Sequence, residues 1–206
     1  GSASSVSREH EILVDSDGLI TIAGGKLTTY RKMAGELVDR AVAMLRLTGA
    51  IDGPLADAYT ARQPLPGAVG WPEDDNAARV EALVKAAGPV DEATAALLVS
   101  TYGTRAVDIA TRIKRDPDLG APLVAGRPER LAQVDFAVEK ELAKTVTDVL
   151  LRRTQLYYRD ADQGLSAAPV VARRMAELLG WDEARVAADV AAYTAEVERS
   201  RRWRAE

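Results

Sequence analysis

The chain has 206 residues, a length that suits one large domain or two small ones. Its 47% hydrophobic and 28% charged residues exclude a collagen-like or largely disordered protein. The lack of cysteine excludes disulfides and thiolate catalysis, the single histidine argues against most imidazole metal sites, and the net charge of −4 offers nucleic acid no positive field. If the chain serves an enzyme, a group that it does not encode is expected to carry the difficult chemistry.

The first predicted element is a β-hairpin. Two short β-rich runs, Ile12-Leu13-Val14 and Leu19-Ile20-Thr21-Ile22-Ala23, flank the turn residues Asp15-Ser16-Asp17-Gly18. Because an isolated hairpin is marginally stable in water, it is expected to need a sheet or a helix to cover it.

A long helix is predicted directly after the hairpin. Gly24-Gly25 ends the second strand, and apolar residues then recur at helical spacing from Leu27 to Leu47. Residues 49–72 contain four glycines and four prolines, which interrupt regular structure. This stretch is therefore interpreted as a connecting segment and as the internal boundary of the chain.

Residues 73–206 are predicted to form a compact helical bundle. Capping and breaking residues divide this part of the chain into six helices, and Pro169 suits the first turn of the fifth. The predicted helices run from Asp75 or Asn76 to Gly88, from Asp91 to Tyr102, from Thr104 to Asp116, from Arg127-Pro128 to Leu150, from Pro169 to Gly180, and from Asp182 to the basic end.

The most informative stretch is Gly24-Gly25-Lys26-Leu27-Thr28-Thr29-Tyr30-Arg31. A glycine pair lets a ligand approach the backbone closely, and the start of the following helix presents unsatisfied N–H groups and a partial positive charge. Lys26 and two threonine hydroxyls add a cation and further donors, so an anionic group is the expected guest. The spacing matches neither the P-loop nor Gly-x-Gly-x-x-Gly. A simple strand exit with Thr28 as a helix cap stays open as the alternative.

Motifs along the whole chain are similar to those of one enzyme family. The segments Val6-Ser7-Arg8-Glu9-His10 and Ala23 to Ala34 resemble the end of the flavin domain of FAD-dependent glycerol-3-phosphate dehydrogenase. Three later segments resemble the C-terminal helical domain of the same family. They are Tyr102-Gly103-Thr104-Arg105-Ala106, Asp148-Val149-Leu150-Leu151-Arg152-Arg153-Thr154 and Leu178-Leu179-Gly180-Trp181. The resemblance implies the C-terminal portion of a longer enzyme whose main FAD-binding fold lies upstream.

The resemblance also implies a fold and an activity. The fold would be mainly α: a C-terminal helical bundle preceded by a β-hairpin and a long helix of the flavin domain, α+β overall. Residues 1–48 would end the FAD and substrate domain, residues 49–72 would link, and residues 73–206 would form the helical domain. The enzyme would oxidise sn-glycerol 3-phosphate to dihydroxyacetone phosphate and pass electrons from FAD to a quinone, while the isolated chain is expected to be inactive and without bound FAD.

Site residues and partners follow from the same resemblance. Lys26 would face the substrate phosphate and Arg8 would be a second substrate-binding residue; no catalytic or metal-binding residue is predicted. The cofactor would be approached by Gly24, Gly25, Lys26, Leu27 and Thr28. The implied partners are the upstream flavin domain, glycerol 3-phosphate and a quinone or other acceptor, with a homodimer as an option and no nucleic acid. The expected location is cytoplasmic, with peripheral attachment to the inner face of the cell membrane as an option.

Other conspicuous residues have simpler interpretations. His10 is interpreted as a surface group, and the basic stripe around Arg152-Arg153 as a solvated face of one long helix, paired with interleaved acids. The arginine-rich residues 199–204 are interpreted as a basic helix end rather than a lipid or nucleic-acid site. Asp160 and Asp162 are weak candidates for a metal site.

Two alternatives stay open for the function. The helical part would act as a dimerisation or interaction module without a direct catalytic role, or the enzyme would be a glycerol-phosphate oxidase that uses oxygen. In either case the hairpin and the inward face of the helix from Leu27 are expected to expose apolar area that a larger protein would bury.

Overall fold

The computed structural model describes residues 9–205, which form two compact units that divide between Pro64 and Leu65. The first unit contains a β-hairpin and one long helix, and the second contains all the other helices. This mainly helical architecture with one two-stranded sheet confirms the predicted fold class. Arg8, one of the predicted site residues, lies outside the described residues.

The hairpin of the first unit forms as predicted. Strand β1, His10–Val14, pairs antiparallel with strand β2, Ile20–Gly24, in a register that sets Ile12 opposite Ile22. Gly18 closes the turn with a φ of 90°, a conformation that glycine adopts without steric cost. The face of the hairpin that carries Ile12 and Ile22 is half-buried, and the other face is exposed.

The long helix of the first unit leaves apolar side chains uncovered. A 3-10 turn, Leu27–Thr29, leads into α1, Tyr30–Leu47. None of residues 9–64 is buried, and the exposed fractions reach 89% for Leu27, 63% for Tyr30 and 57% for Val38. The predicted exposure of apolar area on this helix is confirmed. The described part of this unit therefore has no hydrophobic core of its own.

The described part of the second unit, residues 65–205, contains seven α-helices. Asn76, Asp91 and Asp182 each accept a backbone N–H in the first turn of the following helix, and Pro169 lies in the first turn of α7, as predicted. Within residues 9–205, no helix has both the length and the apolar character needed to cross a membrane. The helices are α2 (Ala77–Ala87), α3 (Glu92–Tyr102), α4 (Ala106–Arg115), α5 (Ala132–Glu141), α6 (Leu156–Arg159), α7 (Ala168–Leu179) and α8 (Glu183–Ser200).

Thr104 does not cap α4, and this prediction is wrong. A 3-10 turn, Gly103–Arg105, precedes α4, whose start has no side-chain cap. The Thr104 hydroxyl instead lies within hydrogen-bonding distance of two carbonyl oxygens, 3.2 Å from that of Gly67 and 2.8 Å from that of Val69. The residue therefore fastens a distant loop to the junction of α3 and α4, a role that a local capping signal does not reveal.

The start of the predicted helix from Arg127 to Leu150 is wrong. Residues 122–130 form an irregular hairpin instead, in which Pro122 and Arg130 make an isolated antiparallel bridge. Arg127 donates from two nitrogens to the two carboxylate oxygens of the fully buried Glu129, both at 3.1 Å. The Arg-Pro pair thus belongs to a folded-back loop and not to a helix start.

The interior of the same predicted helix is also interrupted. Helix α5 ends at Glu141 because Leu142 takes the left-handed conformation, with a φ of 57°. The N–H of Val146 then donates to the carboxylate of Asp189 at 2.7 Å, and a π-helix follows over Asp148–Arg153. The apolar spacing continues across the interruption, so periodicity alone does not report it.

The core of the second unit consists of two hydrophobic clusters that share α5. One surrounds Leu150, Met175 and Tyr193, and the other surrounds Leu98 and Ile109. The inner faces of α5 reach both clusters, with Val134, Ala137 and Val138 in the first and Ala132 and Phe136 in the second. Helix α5 is therefore the central packing element of this unit.

Candidate functional site

The predicted anion-binding turn connects β2 to α1. Gly24 and Gly25 have φ values of 78° and 82°, and Lys26 is extended. A Cβ on Gly24 would lie 2.8 Å from the carbonyl oxygen of Glu9, and one on Gly25 would lie 2.5 Å from the sulfur of Met33. The close backbone contact at Gly24 and the positive φ of both residues therefore account for the glycines, and the pair alone is not evidence for a ligand.

Two backbone N–H groups in the 3-10 turn that leads into α1 have no hydrogen-bond acceptor among the described residues. The N–H of Thr29 donates to the carbonyl of Lys26 at 3.0 Å, whereas those of Leu27 and Thr28 have no acceptor within residues 9–205. The hydroxyl of Thr29 also donates to the Lys26 carbonyl, at 2.9 Å. Thr28 makes no capping bond, so its interpretation as a helix cap is wrong. The turn thus leaves the N–H groups of Leu27 and Thr28 without an internal acceptor, and Thr28, with its hydroxyl, is an exposed residue.

Lys26 supplies the positive charge at this turn. Its side chain is exposed and forms no ion pair with any described residue. By contrast, Lys32, on the next turn of α1, lies 3.6 Å from Glu36. Together with the partial positive charge of a helix start, the Lys26 ammonium makes this end of α1 a surface that favours an anion. The structure places the predicted residues from Gly24 to Thr28 in this single turn.

His10 is not the free surface group that the sequence suggested. Its side chain is 20% exposed, and Nε2 lies 2.7 Å from a carboxylate oxygen of Glu36 on α1. Its Cβ also lies 3.3 Å from the position that a Cβ on Gly25 would occupy. His10 therefore packs behind the turn and joins β1 to α1, a contact that its acidic sequence neighbours do not indicate.

The acidic pair Asp160 and Asp162 stabilises a turn. A carboxylate oxygen of Asp160 accepts the N–H of Gly164 at 3.2 Å, and one of Asp162 accepts the N–H of Ser166 at 3.1 Å. The guanidinium of Arg201 donates to the carbonyl of Asp162 at 3.0 Å, which ties the basic end of α8 to the same turn. Among the described residues, no three His, Asp or Glu side chains are grouped closely enough to hold a metal ion.

The basic stripe is paired as predicted, but it does not lie on one helix. Arg152 donates to Asp148 at 2.8 Å within the π-helix, and Arg153 donates to the carbonyl of Glu141 at 2.6 Å across the interruption after α5. Asp148 therefore neutralises Arg152, and the carboxylate of Glu141 lies 3.8 Å from Nε of Arg153. The chain reversal around Leu142 brings Arg153 back to the end of α5, which the predicted continuous helix would not allow.

Comparisons with known proteins all point to one group of enzymes. Residues 58–186 match the sequence model of a family described as the C-terminal domain of alpha-glycerophosphate oxidase. A glycerol-3-phosphate dehydrogenase of Synechocystis is 34% identical over 186 residues, which are 88% of this chain and 32% of that protein. The mitochondrial glycerol-3-phosphate dehydrogenase of Rattus norvegicus is 36% identical over 185 residues, which are 88% of this chain and 24% of that protein.

A solved structure has a similar fold. The glycerol-3-phosphate dehydrogenase of Bacillus halodurans, determined in complex with FAD, superimposes with a TM-score of 0.66 at 27% identity. The match covers 91% of this chain and 37% of that one. The chain thus spans about a third or less of the length of the curated relatives cited above.

Proposed function

The chain belongs to the family of the C-terminal domain of alpha-glycerophosphate oxidase, and we propose that it is the C-terminal part of an FAD-dependent glycerol-3-phosphate dehydrogenase. The whole enzyme would oxidise sn-glycerol 3-phosphate to dihydroxyacetone phosphate and pass the electrons from FAD to a quinone. The observation that carries this proposal is the turn from Gly24 to Thr28, where an exposed Lys26 and two unused N–H groups meet at the start of a helix.

The turn fits the anionic groups that such an enzyme handles. The Lys26 ammonium would bind the phosphate of the substrate, with Arg8 as a second cation on the strength of sequence resemblance. The N–H groups of Leu27 and Thr28, behind Gly24-Gly25, would donate to a polar edge of the flavin. FAD, when bound, supplies the hydride acceptor. Donors held in place before the reaction favour negative charge without reorganisation, so this chain's contribution is to bind and orient.

The uncovered face of α1 supports a second, larger body around the first unit. Tyr30, Ala34, Val38 and Leu45 follow one another at helical spacing, and all four are exposed. None of residues 9–64 is buried, although an independent unit of this size would need a core. Since the relatives are about three or four times longer than the matched region, we assign the covering role to an upstream flavin domain.

Under this proposal the isolated chain is inactive and binds FAD weakly, because most of the flavin contacts would lie upstream. Titrating the purified chain with FAD, followed by flavin fluorescence, is expected to show no stoichiometric complex. Stoichiometric, tight binding would show that the main affinity for the cofactor resides in this chain and would contradict the assignment.

The role of Lys26 is tested in the longer polypeptide that contains the upstream region. Lys26→Gln is expected to raise the KM for glycerol 3-phosphate by about tenfold or more, the loss typical of one charge-assisted contact. The matched control is Lys32→Gln, which removes a cation one turn further along α1 that already pairs with Glu36. Equal KM values for the two variants would refute the assignment of Lys26 to the substrate phosphate.

The electron acceptor is tested in the same assay. A quinone acceptor would place the enzyme at a membrane as a peripheral protein on the cytoplasmic side, whereas an oxidase would release hydrogen peroxide when oxygen takes the two electrons. The family description names an oxidase, and the relatives are named dehydrogenases. Reduction of a soluble quinone without oxygen consumption is the expected result; peroxide formation at a matching rate would favour the oxidase.

A further inference from the structure

Two motifs far apart in the sequence meet in the second unit. The motif from Tyr102 to Ala106 forms the junction of α3 and α4, and the motif from Asp148 to Thr154 forms the π-helix. Both line a pair of adjoining cavities of about 580 and 450 Å³, which share Thr101, Tyr102 and Glu141. The anion-binding turn of the first unit uses none of these residues, so the function proposed above does not account for them.

The wall of the larger cavity is held rigidly. Gly103 has a φ of 59° and a ψ of −137°, and a Cβ on it would overlap the carbonyl oxygen of Gly67. The Thr104 hydroxyl contacts the carbonyls of Gly67 and Val69 in the same loop. These contacts fix the loop of residues 65–71 against the α3–α4 junction, so the cavity is preformed.

Arg105 lines this cavity without a carboxylate partner. Its guanidinium carbon lies 4.5 Å from the centre of the Phe136 ring, which is fully buried. The side chain forms no hydrogen bond or ion pair with any of residues 9–205, although a guanidinium offers five N–H donors. A half-buried arginine stacked on an aromatic ring and lacking an acceptor is suited to a ligand that brings its own oxygen atoms.

The charges around the two cavities favour an anion. Arg105, Arg152 and Arg153 line them together with Glu141, and Arg152 already pairs with Asp148 at 2.8 Å. The guanidinium of Arg153 donates to the Glu141 carbonyl at 2.6 Å, and its Nε lies 3.8 Å from the Glu141 carboxylate. Partial burial raises the pKa of Glu141, whose side chain is 26% exposed. Among the described residues, Arg105 is therefore the cation of this lining that forms no ion pair, and it leaves the lining with a positive charge to offer a ligand.

We propose that this pair of cavities binds an oxyanion, the phosphate or carboxylate group of a small organic ligand, with Arg105 as the principal contact. Thr101, which lines both cavities, and Arg153, which lines the smaller one, would supply further donors. Trp71 and Val99 supply apolar surface for the body of the ligand. The site shares no residue with the turn from Gly24 to Thr28, and its test does not require an active oxidoreductase.

The test is a titration of the 206-residue chain with sulfate and with inorganic phosphate against chloride at equal ionic strength. Trp71 lines the cavity, so its fluorescence reports occupancy. We expect a saturable change for both oxyanions and none for chloride. Arg105→Gln is expected to weaken the binding by about tenfold or more, whereas Arg173→Gln, which removes an exposed arginine on α7, leaves it unchanged.

A second variant keeps the test decisive if Arg105→Gln disturbs the packing on Phe136. Glu141→Gln removes the opposing charge and preserves the side-chain volume, so it is expected to tighten sulfate binding severalfold, by up to about tenfold. The absence of a saturable response in the unmodified chain would overturn the proposal. So would unchanged sulfate affinity in both Arg105→Gln and Glu141→Gln, which would leave Arg105 a packing role alone.

Discussion

The close contact between Gly103 and Gly67 makes a quantitative prediction for Gly103→Ala. The residue combines a φ of 59° with a ψ of −137°, a backbone conformation that side chains rarely adopt. The strain of such a conformation costs about 1–3 kcal/mol. The new methyl group would also overlap the Gly67 carbonyl, and forcing an extra carbon into a packed site costs about 1–3 kcal/mol more.

The two contributions add to a loss of about 2–6 kcal/mol, a large fraction of the roughly 5–15 kcal/mol that stabilises a typical domain. Gly126→Ala is the matched control. Gly126 also has a positive φ, of 76°, but a Cβ there would meet no atom within 4 Å. This control therefore carries the backbone cost without the steric one, about 1–2 kcal/mol.

Urea unfolding followed by tryptophan fluorescence measures both variants. All three tryptophans, Trp71, Trp181 and Trp203, belong to the second unit, so the signal reports this unit. Equal destabilisation by Gly103→Ala and Gly126→Ala would refute the steric argument. It would also remove the reason for regarding the loop of residues 65–71 as fixed to the α3–α4 junction.

Three further predictions concern stability. Asp135→Ala removes the buried carboxylate that accepts two bonds from Arg174, at 2.7 and 2.6 Å, and is expected to cost about 3 kcal/mol in urea unfolding; a cost below about 1 kcal/mol would contradict it. Asp91→Ala removes the cap of α3 and is expected to cost about 1 kcal/mol at pH 7. Because the N–H of Thr94 lowers the pKa of Asp91, this cost should shrink as the pH falls below about 4, and a cost independent of pH would exclude the carboxylate as its source. Trypsin is expected to cut residues 9–64 well before the helical unit, with mass spectrometry identifying the surviving fragment; equal resistance of both units would contradict the lack of a core in the first.

The sequence predicted correctly those helix starts that depend on residues next to them in the chain. The caps at Asn76, Asp91 and Asp182 each act within the first turn of the helix that they precede. The interruption after α5 depends partly on a residue far away in the sequence. The N–H of Val146 donates to the carboxylate of Asp189, which belongs to α8. No signal near Val146 reveals such a partner, and the apolar periodicity continues past it.

The two candidate sites also differ in whether their residues are neighbours in the sequence. The turn from Gly24 to Thr28 is contiguous, so its residues could be grouped from the sequence, although the structure gives its glycines a packing role that the sequence did not suggest. The Arg105 cavity and its neighbour require three segments that are distant in the chain, residues 65–71, 99–105 and 141–155. Its two motifs were visible as family resemblances, but their meeting at Glu141 depends on the chain reversal at Leu142.

Helix α5 couples the ends of the second unit thermodynamically. Because its residues belong to both hydrophobic clusters, neither cluster can open without exposing a face of α5. An oxyanion bound beside Arg105 would therefore slow amide hydrogen exchange in the remote α8 by the same factor as in α3, wherever exchange proceeds through global opening. Occupancy at one end of the bundle would reach the other through shared stability, without any change in the shape of the helices.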